Sequence, residues 1–205
     1  MIDQPDTMKN HHVNGTGNHY EGKQIPFSHI AKRIGNIFQR HKEKLGKVTD
    51  LSLQFKAGVQ EIDSFIQQNT SVVCSKCRKK CCVNRHACYT CEDLVYIYAL
   101  GLKTKEHGDK DESQPCYFIS EGGCRLERAI RPSGCNWYFC DALYTRMEKT
   151  TGSAYADFDD SLQKLCSLWM ELTEEFLSQF NALAGHEMHM ADLRCSSYHR
   201  ALDPE

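Results

Sequence analysis

No run of about 18 apolar residues occurs in this 205-residue chain, so no membrane-spanning helix is expected and no membrane is named as a partner. The opening stretch, MIDQPDTMKNHHVNGTGNHYEGKQ, lacks the apolar core of a secretory signal. Excess charge is missing too: the formal net charge is -2, which argues for neither nucleic acid nor an anionic surface as a partner. There is no P-loop, no GxGxxG after a strand and no GxSxG, and no acid pair stands out for general acid–base work. Catalytic residues therefore cannot be named, no organic cofactor site is expected, and the enzyme question stays open. Self-similarity at a fixed period is absent. The sequons at Asn14 and Asn69 matter only in a secreted protein. These absences together predict a cytoplasmic protein with reduced thiols.

Cysteine is what the chain has in excess. Of twelve, ten lie between Cys74 and Cys140: Cys74, Cys77, Cys81, Cys82, Cys88, Cys91, Cys116, Cys124, Cys135 and Cys140. Disulfide-dense chains are usually short ones without a core, and this chain is long enough to bury one. Clustered thiolates are soft ligands for zinc and for iron–sulfur iron, so a metal ion or cluster is the expected partner. Cys74–Cys77 and Cys88–Cys91 each have the two-residue spacing that brings two sulfurs around a tight turn to one ion. Adjacent Cys81 and Cys82 diverge, so one is expected to ligate while the other meets a second metal or the core. Lys76, Arg78, Lys79, Lys80 and Arg85 lie among them with no acid before Glu92, which lowers thiol pKa and offsets the thiolate charge. Nucleic acid remains disfavoured, because no stacking aromatics are interleaved with these cations. Gly122–Gly123 before Cys124, and Pro132 and Gly134 before Cys135, suggest delivery of each thiol by a turn. Trp137, Tyr138 and Phe139 are expected to wall the site from water.

Around this segment the periodicity is helical. Ile30, Ile34, Ile37 and Phe38 mark one helix; Leu51, Phe55, Val59, Ile62 and Ile66 mark a second, with Thr49 or Asp50 as its cap. Thr90 and Asp93 have capping-box spacing before the apolar run Leu94–Leu100, with Gly101 as the stop, and that short helix should be buried against the cysteine region. Phe158, Leu162, Leu165, Trp169, Leu172, Phe176, Phe180 and Leu183 form a heptad-like seam ending at Gly185. Cys166 beside it reads as a small core residue. His186 and His189, with Cys195 and His199 nearby, read as a helix end rather than a metal site. His11, His12 and His19 lie in a polar tail.

The predicted organisation is a flexible tail over 1–26, a helical segment over 27–70, a cysteine-cluster domain over 71–142, a long helix over 153–185 packing on 27–70, and a tail over 186–205. The fold class is mainly α: an irregular cysteine-rich metal-binding core flanked by N-terminal helices and a long C-terminal helix. The seam of that helix would also suit a protein partner or a homodimer.

Two separated motifs carry a family resemblance. Cys77-x3-Cys81-Cys82 precedes Thr90-x-x-Asp93-Leu94 and the helix end Leu100-Gly101-Leu102. Then come Cys116-Tyr117-Phe118, Gly123-Cys124-Arg125-Leu126 and Arg131-Pro132-Ser133-Gly134-Cys135. In order and chemistry, residues 74–140 resemble the YkgJ-type cysteine-cluster family, described as a zinc- or iron-chelating domain. The resemblance implies metal ligation by Cys77, Cys81, Cys82, Cys116, Cys124 and Cys135, with Cys74 alongside. The chain departs from the pattern in having Arg78-Lys79-Lys80 where many members have two residues, in Cys88, Cys91 and Cys140 as additional thiols, and in Asn136 where a cation is usual. The expected function is binding of a zinc ion or an iron–sulfur cluster, in a redox or metal-handling role. One branch of the family resembles a flagellin lysine N-methylase, which makes a cluster-containing methyl-transfer enzyme the alternative. A disulfide-stapled interaction module is the second alternative.

Overall fold

Apolar residues at steps of three and four give the chain its helices, and each stripe is turned inward. In the computed structural model the described residues are 27–78, 81–104, 111, 113–121, 123–150 and 152–184. The tail read over 1–26, Lys79 and Lys80, most of the charged stretch 103–115, Gly122, and the end of the chain with Gly185, His186, His189, Cys195 and His199 lie outside them. Helix α1 spans Phe27–His41 and buries Ile30, Ile34 and Phe38. A 3₁₀ turn at Lys42–Leu45 leads into α2, Gly46–Val73. Thr49 and Asp50 do not cap α2: they lie inside it, and Thr49 Oγ1 donates to Leu45 O at 3.2 Å. The 3₁₀ turn carries the chain almost directly from one helix into the next, and the fully buried Leu45 pins the corner, so no side-chain cap is used.

Helix α2 buries Val48, Leu51, Phe55, Val59, Ile62 and Ile66 on one face. Helix α6, Ala154–Ala184, lies along it and buries Phe158, Leu162, Leu165, Leu172, Phe176 and Phe180. That seam is filled by α2 of the same chain. The two helices approach closely at Gly58, where a Cβ would stand 2.7 Å from Leu165 Cδ2. Gly58→Val is therefore expected to cost about 1–3 kcal/mol through overpacking. Urea denaturation measures it, and no loss at all would mean that α6 shifts freely on α2.

Helix α3, Cys91–Ala99, is apolar nearly all round and is buried among α1, α2 and α6 rather than against the cysteine region alone. Its capping box is present: Asp93 N donates to Thr90 Oγ1 at 3.1 Å, and Thr90 N donates to Asp93 Oδ2 at 2.7 Å. Gly101, at φ 66°, ends it with the paired bonds Leu102 N to Ile97 O and Gly101 N to Tyr98 O, both 3.0 Å. The remaining elements are a two-stranded hairpin (β1, Ile119–Ser120; β2, Gly123–Cys124), the one-turn helix α4 at Gly134–Trp137, and α5 at Asp141–Glu148. Short 3₁₀ turns sit at Asn84–His86 and Arg128–Ile130.

The fold is mainly α. Phe55 of α2 is its hub, with ring centroids 4.7 Å from Trp169, 5.1 Å from Tyr96 and 5.8 Å from Trp137. This aromatic group ties α2, α3, α4 and α6 together. Helix α1 closes the other end, where Phe38 stacks on Phe176 at 5.6 Å. Among the described residues no helix is long and apolar enough to cross a membrane.

Candidate metal centre

Four separate stretches bring thiols together. Cys74 and Cys77 come off the C-terminal end of α2, with Cys74 N bonded to Thr70 O at 2.8 Å and Cys77 N to Cys74 O at 3.3 Å. Cys81 and Cys82 follow and run beside the second block, where Cys116 N donates to Cys82 O at 2.9 Å. Asn84 locks that alignment. It is buried, its Nδ2 donates to Asp111 O at 2.9 Å, and its Oδ1 accepts from Tyr117 N at 3.0 Å. The hairpin then sets Cys124 opposite Ile119, on the strand that leaves Cys116. Cys135 lies inside α4, its N–H bonded to Pro132 O at 2.9 Å. Gly134 is helical, not a left-handed turn, so helical winding after Pro132 delivers this thiol.

Seven sulfurs interact as one group: Cys74, Cys81, Cys82, Cys116, Cys124, Cys135 and Cys140. Cys81 shares thiol–thiol hydrogen bonds with both Cys82 and Cys140. Cys82 senses the charges of Cys135, Cys74 and Cys116, and Cys135 senses those of Cys124 and Cys116. Cys140, an addition to the family pattern, thus belongs to the group. Cys77 is half-buried beside Cys74. Cys88 donates to Asn84 O at 3.6 Å. Cys91 is fully buried in the apolar core as the first residue of α3. Cys166, on α6, is half-buried. Cys81, Cys82, Cys116, Cys124, Cys135, Cys140 and Cys166 are free thiols.

Burial dominates the electrostatics. It pushes the Cys135 thiol up to about 12, with the charge of Cys124 adding to the effect and Arg131 opposing it. Cys116 is also raised by burial and partly relieved by Arg125. Cys81 is held well above the ordinary thiol range, first by its hydrogen bond to Cys82 and then by burial. Cys82, exposed and accepting that bond, is lowered. His86 is lowered by burial and by Arg85, and so is neutral at pH 7.

The expected aromatic wall is built differently. Trp137 turns into the hydrophobic core with Phe55, and Phe139 packs on Phe158 at 5.8 Å. Tyr138 is 53% exposed and stacks on His86 at 5.2 Å. His86 O in turn receives the Cys135 thiol at 3.8 Å. Trp137 is therefore part of the core that distant helices build, while the stacked Tyr138–His86 pair lies towards solvent.

Two buried polar residues clasp the Cys135 turn, and periodicity alone pointed to neither role. Asp93, 2% exposed, accepts from Ser133 N at 2.9 Å as well as from Thr90. Arg128, 5% exposed, donates to Asp63 Oδ1 at 2.6 Å and to Cys135 O at 3.4 Å. Tyr96 and Tyr89 hold the same loop by donating to Ala129 O at 2.8 Å and Ile130 O at 2.7 Å. The capping-box spacing identified Asp93, but only as a helix cap.

Among the described residues no three His, Cys, Asp or Glu side chains are posed to hold a metal ion. In chemistry thiols are soft donors of the kind a thiophilic metal takes, and Arg125 and Arg131 act on Cys116 and Cys135. Asn136 Oδ1, one residue beyond Cys135, is buried without a hydrogen-bond partner, an orphan of the kind met by a bound water or group. No family model, curated protein or solved structure matches this chain.

Proposed function

We propose that this chain binds a zinc ion or an iron–sulfur cluster through the thiolates of its cysteine segment, in the cytoplasm, as a member of the YkgJ-type cysteine-cluster family. The observation that carries the reading is the convergence of seven thiols from four stretches of sequence. Gathering thiols in a half-buried shell raises the pKa of Cys81, Cys116 and Cys135 and brings no packing advantage over alanine or valine. Coordination accounts for that arrangement, and the free thiols of Cys81, Cys82, Cys116, Cys124, Cys135 and Cys140 favour it over disulfide bridges.

The ligand set is Cys74, Cys81, Cys82, Cys116, Cys124, Cys135 and Cys140, with Cys77 adjacent. Bound zinc would crosslink the four stretches, whereas an iron–sulfur cluster would add one-electron chemistry. The chain's own residues prepare the site. Asn84 aligns Cys82 with Cys116, and Asp93 and Arg128 hold the Cys135 turn.

Anaerobic purification with metal and acid-labile sulfide analysis tests the reading. Metal is expected at stoichiometric level, with sulfide if a cluster is present. Cys135→Ser is expected to lose at least tenfold in metal affinity, while Cys166→Ser retains it. Equal retention in both variants, or a metal-free chain under anaerobic conditions, would refute the ligand assignment.

A further inference from the structure

In sequence, the cations Lys76, Arg78, Lys79, Lys80 and Arg85 run without an interleaved aromatic. The fold supplies two aromatics from elsewhere, and the 3₁₀ turn Asn84–His86 is the junction. At one end of it the Tyr138 ring stacks on His86, with centroids 5.2 Å apart and planes 12° from parallel. At the other end Asn84 Oδ1 accepts from Tyr117 N at 3.0 Å. Between them is Arg85, exposed and near enough to Tyr138 to act on its hydroxyl. Tyr138 is 53% exposed and Tyr117 44%, whereas Phe38, Phe55 and Phe176 are buried. The Arg125 guanidinium lies 5.5 Å from the Tyr117 ring centroid. His86 and Arg125 hold these rings in place, so little rotamer freedom is left to lose when another ring stacks on them. Tyr138 stacks on no other ring among the described residues, and its exposure leaves the face opposite His86 open.

We infer that this surface binds single-stranded nucleic acid, with an unpaired base stacked on Tyr138 and its flanking phosphate on Arg85. The inference stands on the stacked pair and its cations and does not need the metal centre. An open aromatic face beside an unpaired arginine is what a base and its phosphate require. A duplex keeps its base faces inside its own stack, and a phosphopeptide would use the cation but leave the ring face idle. Asp141 also acts on Tyr138, so the phosphate is expected on the Arg85 side of the ring. Arg125 beside Tyr117 offers a second phosphate contact next to a second ring. Every base has a stacking face, so sequence preference should be weak.

The test is fluorescence anisotropy of the anaerobically purified full chain with labelled oligo(U), oligo(dT) and a DNA duplex of equal length. A single strand is expected to bind at least about fivefold tighter than the duplex, and the sugar of the tighter strand tells RNA from DNA. Tyr138→Ala should lose at least about fivefold in single-strand affinity, while Tyr138→Phe keeps it. Arg85→Ala should weaken binding and lower the salt slope by about 0.7, the value of one phosphate contact. Metal content and helix content, measured on each variant, confirm that it is intact. No binding of either single strand, equal binding of duplex and single strand, or full affinity in Tyr138→Ala overturns the inference and leaves the metal reading untouched. Displacement of oligo(U) by an equal concentration of phosphoserine peptide also overturns it, because the surface then reads phosphate alone.

Discussion

Asp93→Ala is expected to destabilise the chain by about 2–4 kcal/mol, the loss of a helix cap combined with buried donors left unpaired. Asp93 Oδ2 accepts from Thr90 N at 2.7 Å and Oδ1 from Ser133 N at 2.9 Å, and both partner residues are buried. Truncation removes both acceptors and admits no obvious replacement. Burial holds the carboxyl up at about 6, so removing it recovers some desolvation cost, which keeps the expected loss below the full value of two charged hydrogen bonds. Asp93→Asn retains one acceptor oxygen and should lose about half as much. The clasp also holds Ser133, two residues before Cys135, so metal affinity should fall with stability in Asp93→Ala. Chemical denaturation and zinc competition measure the two effects. A stability loss under about 0.5 kcal/mol, the scale of an ordinary surface substitution, would mean that the clasp contributes little.

The metal-free chain should lose stability as pH rises above 9. The Cys135 thiol moves from its ordinary 9.0 up to about 12 in the folded chain, chiefly through burial. Between those values the unfolded chain has released a proton that the folded chain keeps. The folded state then binds more protons, so the stabilisation present below pH 9 is lost as pH climbs towards 12. For Cys135 alone the full loss is about 4 kcal/mol, an order-of-magnitude figure. Cys81 and Cys116 are raised as well and act in the same direction. The metal-loaded chain should behave in the opposite way at neutral pH: bound thiols are already deprotonated, so metal affinity rises with pH. Thermal unfolding from pH 7 to 11, with and without zinc, measures both. The slope in the metal-free chain should shrink in Cys135→Ser; an unchanged slope there would remove Cys135 as its source.

Much of the fold can be read from residue order. The stripes Ile30–Phe38, Leu51–Ile66 and Phe158–Phe180 are turned inward on their helices, with Ile37 and Trp169 only partly buried, because a helical face repeats every three to four residues wherever it packs. The Thr90–Asp93 box and the Gly101 stop are both formed, since caps depend on neighbours a few residues away. Local reasoning failed at Thr49 and Asp50, where the preceding 3₁₀ turn made a cap unnecessary, and at Tyr138, which is at the rim rather than in the wall.

Residue order alone determined the mainly helical class and the density of thiols in one segment, both set by interactions within a few residues. Only the tertiary structure decided which thiols meet. Cys140 joins Cys81, Cys91 enters the apolar core, and Cys82 lies beside Cys116 because Asn84 bonds across two distant stretches. Such pairings depend on where irregular backbone finds its hydrogen-bond partners. Sequence spacing carries no record of that choice.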